Sequence, residues 1–168
     1  FWRGLFKPKF QTVGCEFAGE GEETRKQVTT FNMGDKVFGF NDKSFGGHGE
    51  YLTIPENAAV TMMPDGLSFT EAAPITEGAH YAMNTIKAAK VEKGQQVMVY
   101  GATGAIGSAA VQLLKHFGAV VTAVGNTKNV ELVKSLGADT VIDYQTQDFT
   151  KTDTRFRFIF DAVGKSSF

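Results

Sequence analysis

The sequence carries a single cysteine, Cys15, so no internal disulfide can form and nothing in its cysteine usage suggests secretion. It also lacks an excess of charge of either sign: 17 lysines and arginines stand against 18 aspartates and glutamates, for a net charge of −1. A nucleic-acid-binding footprint needs a basic excess on one face, and this balance argues against one. No apolar run approaches the roughly 18 residues of a membrane span. The sequence shows no internal repeat and no low-complexity stretch. No signal peptide is legible, and the chain opens at Phe1 with "FWRGLFKPKF" rather than at a methionine. The expectation is therefore a true N-terminus further upstream, and a cytoplasmic protein.

What is present is a globular composition, 42% hydrophobic and 21% charged over 168 residues, enough to build a core. The composition changes near residue 66. Before it, short β-rich pieces alternate with glycine: "VGCEFAGE", "DKVFGF" and "GEYLTIP". Short strands at regular spacing with turn signals predict a small β-barrel. Gly34-Asp35 opens a turn, and "NDKSFGGHG" reads as a flexible loop around a Gly-Gly pair. Pro64-Asp65-Gly66 marks a junction. Ser68 with Glu71 fits a capping box and predicts a helix start, and Pro74 separates that turn from a second helix over 75–89.

From about residue 95 the pattern is βαβαβ. "QQVMVY" is a short apolar strand, and a loop over 101–107 follows it. Ile106, Ala110, Leu113, Leu114 and Phe117 then fall at helical spacing, with Gly118 as the terminating glycine. "AVVTAV" is a second strand, Val130, Val133 and Leu136 share one face of a helix closed by Gly137, and "DTVIDY" is a third strand. In "RFRFIFDAVG" Phe156, Phe158 and Phe160 alternate with Arg155, Arg157 and Ile159, as in a fourth. Strands alternating with helices imply a parallel sheet with right-handed crossovers. A doubly wound nucleotide domain usually has two further strands, so the expectation is a chain truncated at both ends.

Gly101, Gly104 and Gly107 are spaced G-x-x-G-x-x-G. In a sharp strand-to-helix turn, missing Cβ atoms let a pyrophosphate approach, and the free amides of the first helical turn face the anion. Ala102, Ala105 and Ser108 keep the approach open. The alternative is a glycine-rich connection with no ligand; the strand before it and the amphipathic helix after it favour a dinucleotide site. At the end of the second strand an acid would hold an adenosine ribose and repel a 2′-phosphate. Between Val124 and Val130 there is none; Asn126 and Thr127 can donate hydrogen bonds and Lys128 adds charge. This predicts NADPH, the alternative for Lys128 being a solvated residue in the first turn of a helix.

Taken in order and spacing, "VGCEFAGE", "FNMGDKVFGF", "GEYLTIPENA", "MPDGLSFTEAA", "VMVYGATGAIGSAAVQLLKHFGA" and "LVKSLGADTVIDY" resemble the medium-chain dehydrogenase/reductase superfamily in its zinc-independent, quinone oxidoreductase-like branch. The resemblance implies an α/β chain made of a partial GroES-like β-barrel domain, residues 1–66, connecting helices, 67–94, and a Rossmann domain truncated after its fourth strand, 95–168. It places Ala102, Thr103, Gly104, Ala105, Ile106 and Gly107 at the pyrophosphate. Asn126, Lys128 and Asn129 surround the 2′-phosphate of NADP(H), Tyr144 meets the adenosine phosphate, and Val163 with Gly164 lies against the adenosine or its ribose. It also implies a homodimeric parent acting on a small electrophilic substrate, with no nucleic-acid or membrane partner.

Zinc-dependent relatives carry Gly-His-Glu where this chain has Gly14-Cys15-Glu16, together with further cysteine ligands that this chain lacks. Cys15 could stand in as a thiolate, with His48, His80 and Glu16 as the other candidates, but their scatter shows no metal spacing. The expectation is no metal and a Cys15 that packs as a small core residue. Without a Lewis acid, electron-poor acceptors such as quinones and α,β-unsaturated carbonyls suit the site. His80 falls where relatives often have a threonine near the nicotinamide, and is the candidate catalytic residue, to orient the ring or give a proton; Thr76, Glu77 and Tyr81 share its helix start. His48 and Tyr51 are candidates for the substrate cleft. Alternatives are a zinc-independent alcohol dehydrogenase-like or enoyl thioester reductase and, from another class, a non-catalytic NADP-binding sensor or structural protein. "AGEGEETRKQVTTF" departs from the family's apolar strand, as an exposed edge or a drifted sequence.

Overall fold

The computed structural model describes residues 12–164, and the chain divides into two compact units between Glu77 and Gly78. The first unit holds a three-stranded antiparallel sheet in the order β1 (Glu16–Glu20), β2 (Lys36–Phe40), β3 (Val60–Met62). Register places Phe17 opposite Gly39, and Gly39 opposite Val60. That register needs glycine: a Cβ on Gly39 would lie 2.3 Å from the Ala59 carbonyl oxygen and 2.6 Å from Phe17 Cζ. The aromatic ring covers backbone where a side chain would otherwise stand.

The polar stretch after β1 is neither an edge strand nor a strand of any kind. Residues 21–35 form a loop closed by Gly21 N–H donating to Asp35 O at 2.9 Å and Gly34 N–H donating to Gly21 O at 2.8 Å. The amides of Thr29 and Thr30 donate to Glu56 Oε2 at 3.0 and 3.2 Å. These amides, Thr29 first, hold the Glu56 carboxyl below its ordinary range. "GEYLTIP", expected as a strand, is not one. Residues 51–58 do alternate exposed and half-buried, but they pair with no strand among the described residues, and Pro55 has no N–H to give a ladder.

The junction follows its local chemistry. Ser68 caps α1 (Phe69–Ala72) in a complete capping box: Glu71 N–H donates to Ser68 Oγ, and Ser68 N–H donates to Glu71 Oε2 at 2.9 Å. Pro74 then precedes α2 (Ile75–Ala89), whose buried residues Gly78, Ala82 and Ile86 recur every four positions on one face.

The second unit is a four-stranded parallel sheet in the order β6 (Thr140–Asp143), β5 (Val120–Gly125), β4 (Gln96–Tyr100), β7 (Phe158–Asp161). Val97, Val99, Val121 and Ala123 are wholly buried in its middle strands, as continuous apolar runs should be when both faces are covered. Between β4 and β5, α3 (Ala105–His116) buries Ala110, Val111 and Leu114 against the sheet. Phe117, expected on that face, is the C-cap and 38% exposed. Gly118 follows with φ +78°, as a helix-ending glycine should.

α4 (Val130–Ser135) contributes the fully buried Val133. Lys115 Nζ lies 2.8 Å from the Asp139 carboxylate, which also accepts from Val121 N–H at 2.6 Å, so α3, β5 and the start of β6 are tied at one point. Burial pushes the Asp139 pKa up, but Lys115 and the Val121 amide outweigh it and hold the carboxyl below its ordinary value. No helix among the described residues is long and apolar enough to cross a membrane.

Candidate functional site

The strand order reverses at β4: the chain runs outward to β5 and β6, then returns to the other side of β4 as β7. Loops leaving the carboxyl ends of β4 and its neighbours diverge at such a point and leave a crevice. The 101–104 loop occupies it. Ala102 is fully buried and donates its N–H to Val124 O at 3.2 Å, tying the loop to the end of β5.

Each glycine of the loop has its own reason. Gly101 turns with φ +82°, a conformation that side chains resist. A Cβ on Gly107 would lie 2.1 Å from Gly101 O, so helix and turn can close only on glycine there. At Gly104 the chain makes no such demand: φ is −78°, and a Cβ would meet only Gly101 O at 3.7 Å, ordinary contact. Gly104 is the N-cap of α3 and has no side chain to cap with. Ala105, Ile106 and Gly107 come before the first helical bond, Ser108 N–H to Gly104 O at 2.8 Å, so their amides have no intrahelical acceptor. Thr103, Gly104 and Ala105 are exposed beside them. A twelve-residue helix thus presents bare amides, with its positive dipole end, at the carboxyl edge of a sheet.

The corner beside the loop is built from the ends of β5 and β6, which pair Gly125 with Asp143. Asn126, Thr127, Lys128 and Asn129 follow Gly125, with Thr127–Asn129 forming a single 3-10 turn. Asn129 Nδ2 donates to Asn126 Oδ1 at 2.9 Å, which uses the Asn126 oxygen and not its amide nitrogen. Lys128 is exposed and in no ion pair among the described residues.

Thr127 does not fill the donor role its position suggested. Its hydroxyl donates to Asp143 Oδ2 and lies 2.9 Å from Gln145 Oε1, so its single proton is committed inside the protein. Gln145 N–H in turn donates to Asp143 Oδ1 at 3.0 Å. The Thr127 hydroxyl is the first cause holding the Asp143 carboxyl below its ordinary value. Asp143 and Gln145 are not among the residues the sequence points to, because the corner acid stands on the neighbouring strand and not along the second. The available signal was the acid in "VIDY", at the end of the strand that neighbours it.

Tyr144 donates its N–H to Gly125 O at 3.1 Å, and its ring is half exposed above an open hollow lined by residues 144–149. Asp161 at the end of β7 accepts from the amides of Val163 and Gly164 at 2.8 and 2.9 Å, which turns that loop back toward β4. Gly101 and Val163 are in close register there: a Cβ on Gly101 would lie 2.5 Å from Val163 Cγ2. Residues 102–107, the 126–129 turn, Tyr144 and Val163-Gly164 therefore all lie on the carboxyl edge of one sheet.

The remaining candidates belong to other elements. His80 is exposed on α2, with Nε2 3.0 Å from Asn84 Nδ2 and its ring edge-on to Tyr81 at 5.6 Å. His48 is exposed, its N–H donating to Val13 O at 2.9 Å, and Tyr51 is 74% exposed. Cys15 is half-buried. Glu16 serves a helix: its Oε1 accepts from Glu77 N–H at 2.9 Å, in the first turn of α2. No three His, Cys, Asp or Glu side chains converge as metal ligands among the described residues.

Comparison with known proteins gives a consistent picture. A family model described as "Zinc-binding dehydrogenase" matches residues 105–168. A 2-methylene-furan-3-one reductase of Solanum lycopersicum is 35% identical over 161 residues, 90% of this chain and 41% of that protein. A chloroplastic NADPH-dependent alkenal/one oxidoreductase of Arabidopsis thaliana is 29% identical over 96% of this chain and 45% of its own length. The chain thus spans less than half the length of these curated relatives. Among solved structures, the quinone oxidoreductase of Coxiella burnetii superposes with a TM-score of 0.75 at 27% identity, over 90% of this chain and 49% of that one. A mycobacterial protein complexed with NADPH superposes at 0.68, with 26% identity over 77% of this chain and 40% of its own. An NAD-dependent alcohol dehydrogenase reaches 0.77, with 26% identity over 86% and 51%, so the fold alone does not choose between the two nicotinamide cofactors.

Proposed function

Because the chain belongs to the medium-chain dehydrogenase/reductase superfamily, in its quinone oxidoreductase-like branch, we propose that the protein reduces quinones or α,β-unsaturated carbonyls with NADPH as hydride source and without zinc. The observation that carries this reading is the cradle at the start of α3: bare amides on Ala105, Ile106 and Gly107 beside a Gly104 that no internal packing requires. A missing Cβ with no internal cause leaves room for something outside the chain, and an anion is what such amides accept.

In this reading the loop from Ala102 to Gly107 holds the pyrophosphate, and Asn126, Lys128 and Asn129 receive the 2′-phosphate. Tyr144 lies along the adenosine phosphate, and Val163 and Gly164 border the adenosine. The bound reduced nicotinamide supplies the hydride. His80 is assigned to orient the ring or deliver the proton, and His48 and Tyr51 to the substrate side. Residues 1–66 belong to the GroES-like substrate domain, 67–94 connect, and 95–168 carry the cofactor; the parent is a homodimer. Zinc-independence is supported by the donor set: Glu16 is engaged at α2, and no ligand trio forms among the described residues.

The test is consumption of NADPH by the full-length protein across a panel of quinones, enones and enoyl thioesters, with NADH as control. NADPH turnover with a quinone or enone is the expected result. Tighter binding of NADH would overturn the cofactor assignment. Cofactor binding without turnover on any acceptor would favour the non-catalytic sensor, and stoichiometric zinc in the purified protein would end the metal-free reading.

A further inference from the structure

We infer that Thr127 and Asp143 form a latch that positions the 126–129 turn for the 2′-phosphate, and so set the preference for the phosphorylated dinucleotide; the inference rests on the cofactor reading above. The two residues come from adjacent strand ends, in register through Gly125 and Asp143. Neither is needed for the core: Thr127 is exposed, Asp143 half-buried, and both sit beyond the buried valines of β5.

Each oxygen of the Asp143 carboxylate accepts a bond within the latch. Oδ2 accepts from the Thr127 hydroxyl, and Oδ1 accepts from Gln145 N–H at 3.0 Å. Gln145 closes the loop by accepting from Thr127 N–H at 3.3 Å. An acid at this corner would otherwise be free to accept from a ribose hydroxyl, the arrangement that favours the unphosphorylated cofactor. Here each of its oxygens already accepts one bond from within, and the carboxylate is held toward Thr127 and Gln145. The same bonds pin the residue between the half-buried Asn126 and the exposed Lys128, the two side chains that carry donors for a phosphate. A turn held this way before binding loses less conformational freedom when the phosphate arrives. Sequence reading assigned Thr127 as a donor to the ligand; the latch makes it a positioning residue.

The experiment measures binding of 2′,5′-ADP and of 5′-AMP to the full chain and to the variants Thr127→Val, Thr127→Ser and Asp143→Asn. Wild type should bind 2′,5′-ADP more tightly than 5′-AMP. Thr127→Val keeps the side-chain shape and the Asp143 charge but removes the donated proton, and should weaken 2′,5′-ADP about fivefold with 5′-AMP unchanged. Thr127→Ser, which restores the hydroxyl, should return to within about twofold of wild type. Asp143→Asn has one acceptor oxygen where two are needed and should also weaken 2′,5′-ADP.

Equal losses for both ligands in Thr127→Val, or a lowered melting temperature with no change in binding, would reduce the latch to a structural contact and overturn the proposal. Tighter 2′,5′-ADP binding by Asp143→Asn would overturn it in favour of simple charge repulsion. If wild type does not distinguish the two ligands, the cofactor reading fails and takes the latch with it. If wild type distinguishes them and Thr127→Val does so equally well, only the latch fails.

Discussion

The two units reach close packing by opposite means. In the second, aliphatic side chains interdigitate: Val97, Val99, Val111, Leu114, Val121 and Val133 are wholly buried between a parallel sheet and its helices. In the first, Phe40, Phe45 and Ala72 are the buried hydrophobics among the described residues, and backbone approaches backbone instead. A Cβ on Gly39 would lie 2.3 Å from Ala59 O, and one on Gly47 2.3 Å from Glu16 O. The second unit also closes on glycine at its loop, at Gly101 and Gly107, but its sheet is filled by side chains, whereas the sheet of the first is closed by their absence. The parallel sheet should therefore fail when atoms are removed from its core, and the antiparallel sheet when atoms are added at its glycines.

The largest expected effect is in the second unit. Leu114→Ala empties a fully buried site between α3 and the sheet and should cost about 3 kcal/mol, read as a shift in the urea unfolding midpoint. A loss below about 1 kcal/mol would mean that this core is loosely filled and would dissolve the contrast. Next comes Gly39→Ala in the first unit, which adds one methyl group against a carbonyl oxygen and the Phe17 ring. It should destabilise by about 2 kcal/mol, with β1–β2 amides losing hydrogen-exchange protection while those of β4 and β5 keep theirs. A neutral result would show that Phe17 simply swings away. The smallest effect sharpens the comparison from the polar side. Glu16→Ala removes the acceptor from Glu77 N–H and should cost about 1 kcal/mol, the size of a lost helix cap, with nucleotide affinity unchanged. A fall in bound metal on this substitution would return Glu16 to the role of ligand.

How much was legible follows the same division. Helical periodicity located α3 and α4, and the capping pair Ser68 and Glu71 located α1, because these signals are local. Alternation failed for "GEYLTIP": residues 51–58 do alternate in exposure, but a strand is defined by its partner, and no partner is encoded in its own residues. At the loop, the glycine spacing predicts a sharp turn, yet does not say which glycine the chain's own packing requires. Distances did that, since Gly107 is crowded by Gly101 O and Gly104 is not. Asp143 was invisible as a corner residue because it is 18 positions from Gly125 in sequence and directly opposite it in the sheet.

By itself, then, the sequence determined the capped helix start, the alternating order of strands and helices after residue 95, and the glycine turn between β4 and α3. All of these follow from propensity, periodicity and the conformational freedom of glycine, which act within a few residues. The tertiary structure alone decided the strand register, and with it the partners of Thr127, the burden on Gly39 and the use of Glu16 as a cap. These are long-range properties: each of those contacts joins residues 16 or more positions apart, brought together only when strands pair or, for Glu16, when a helix packs beside its strand.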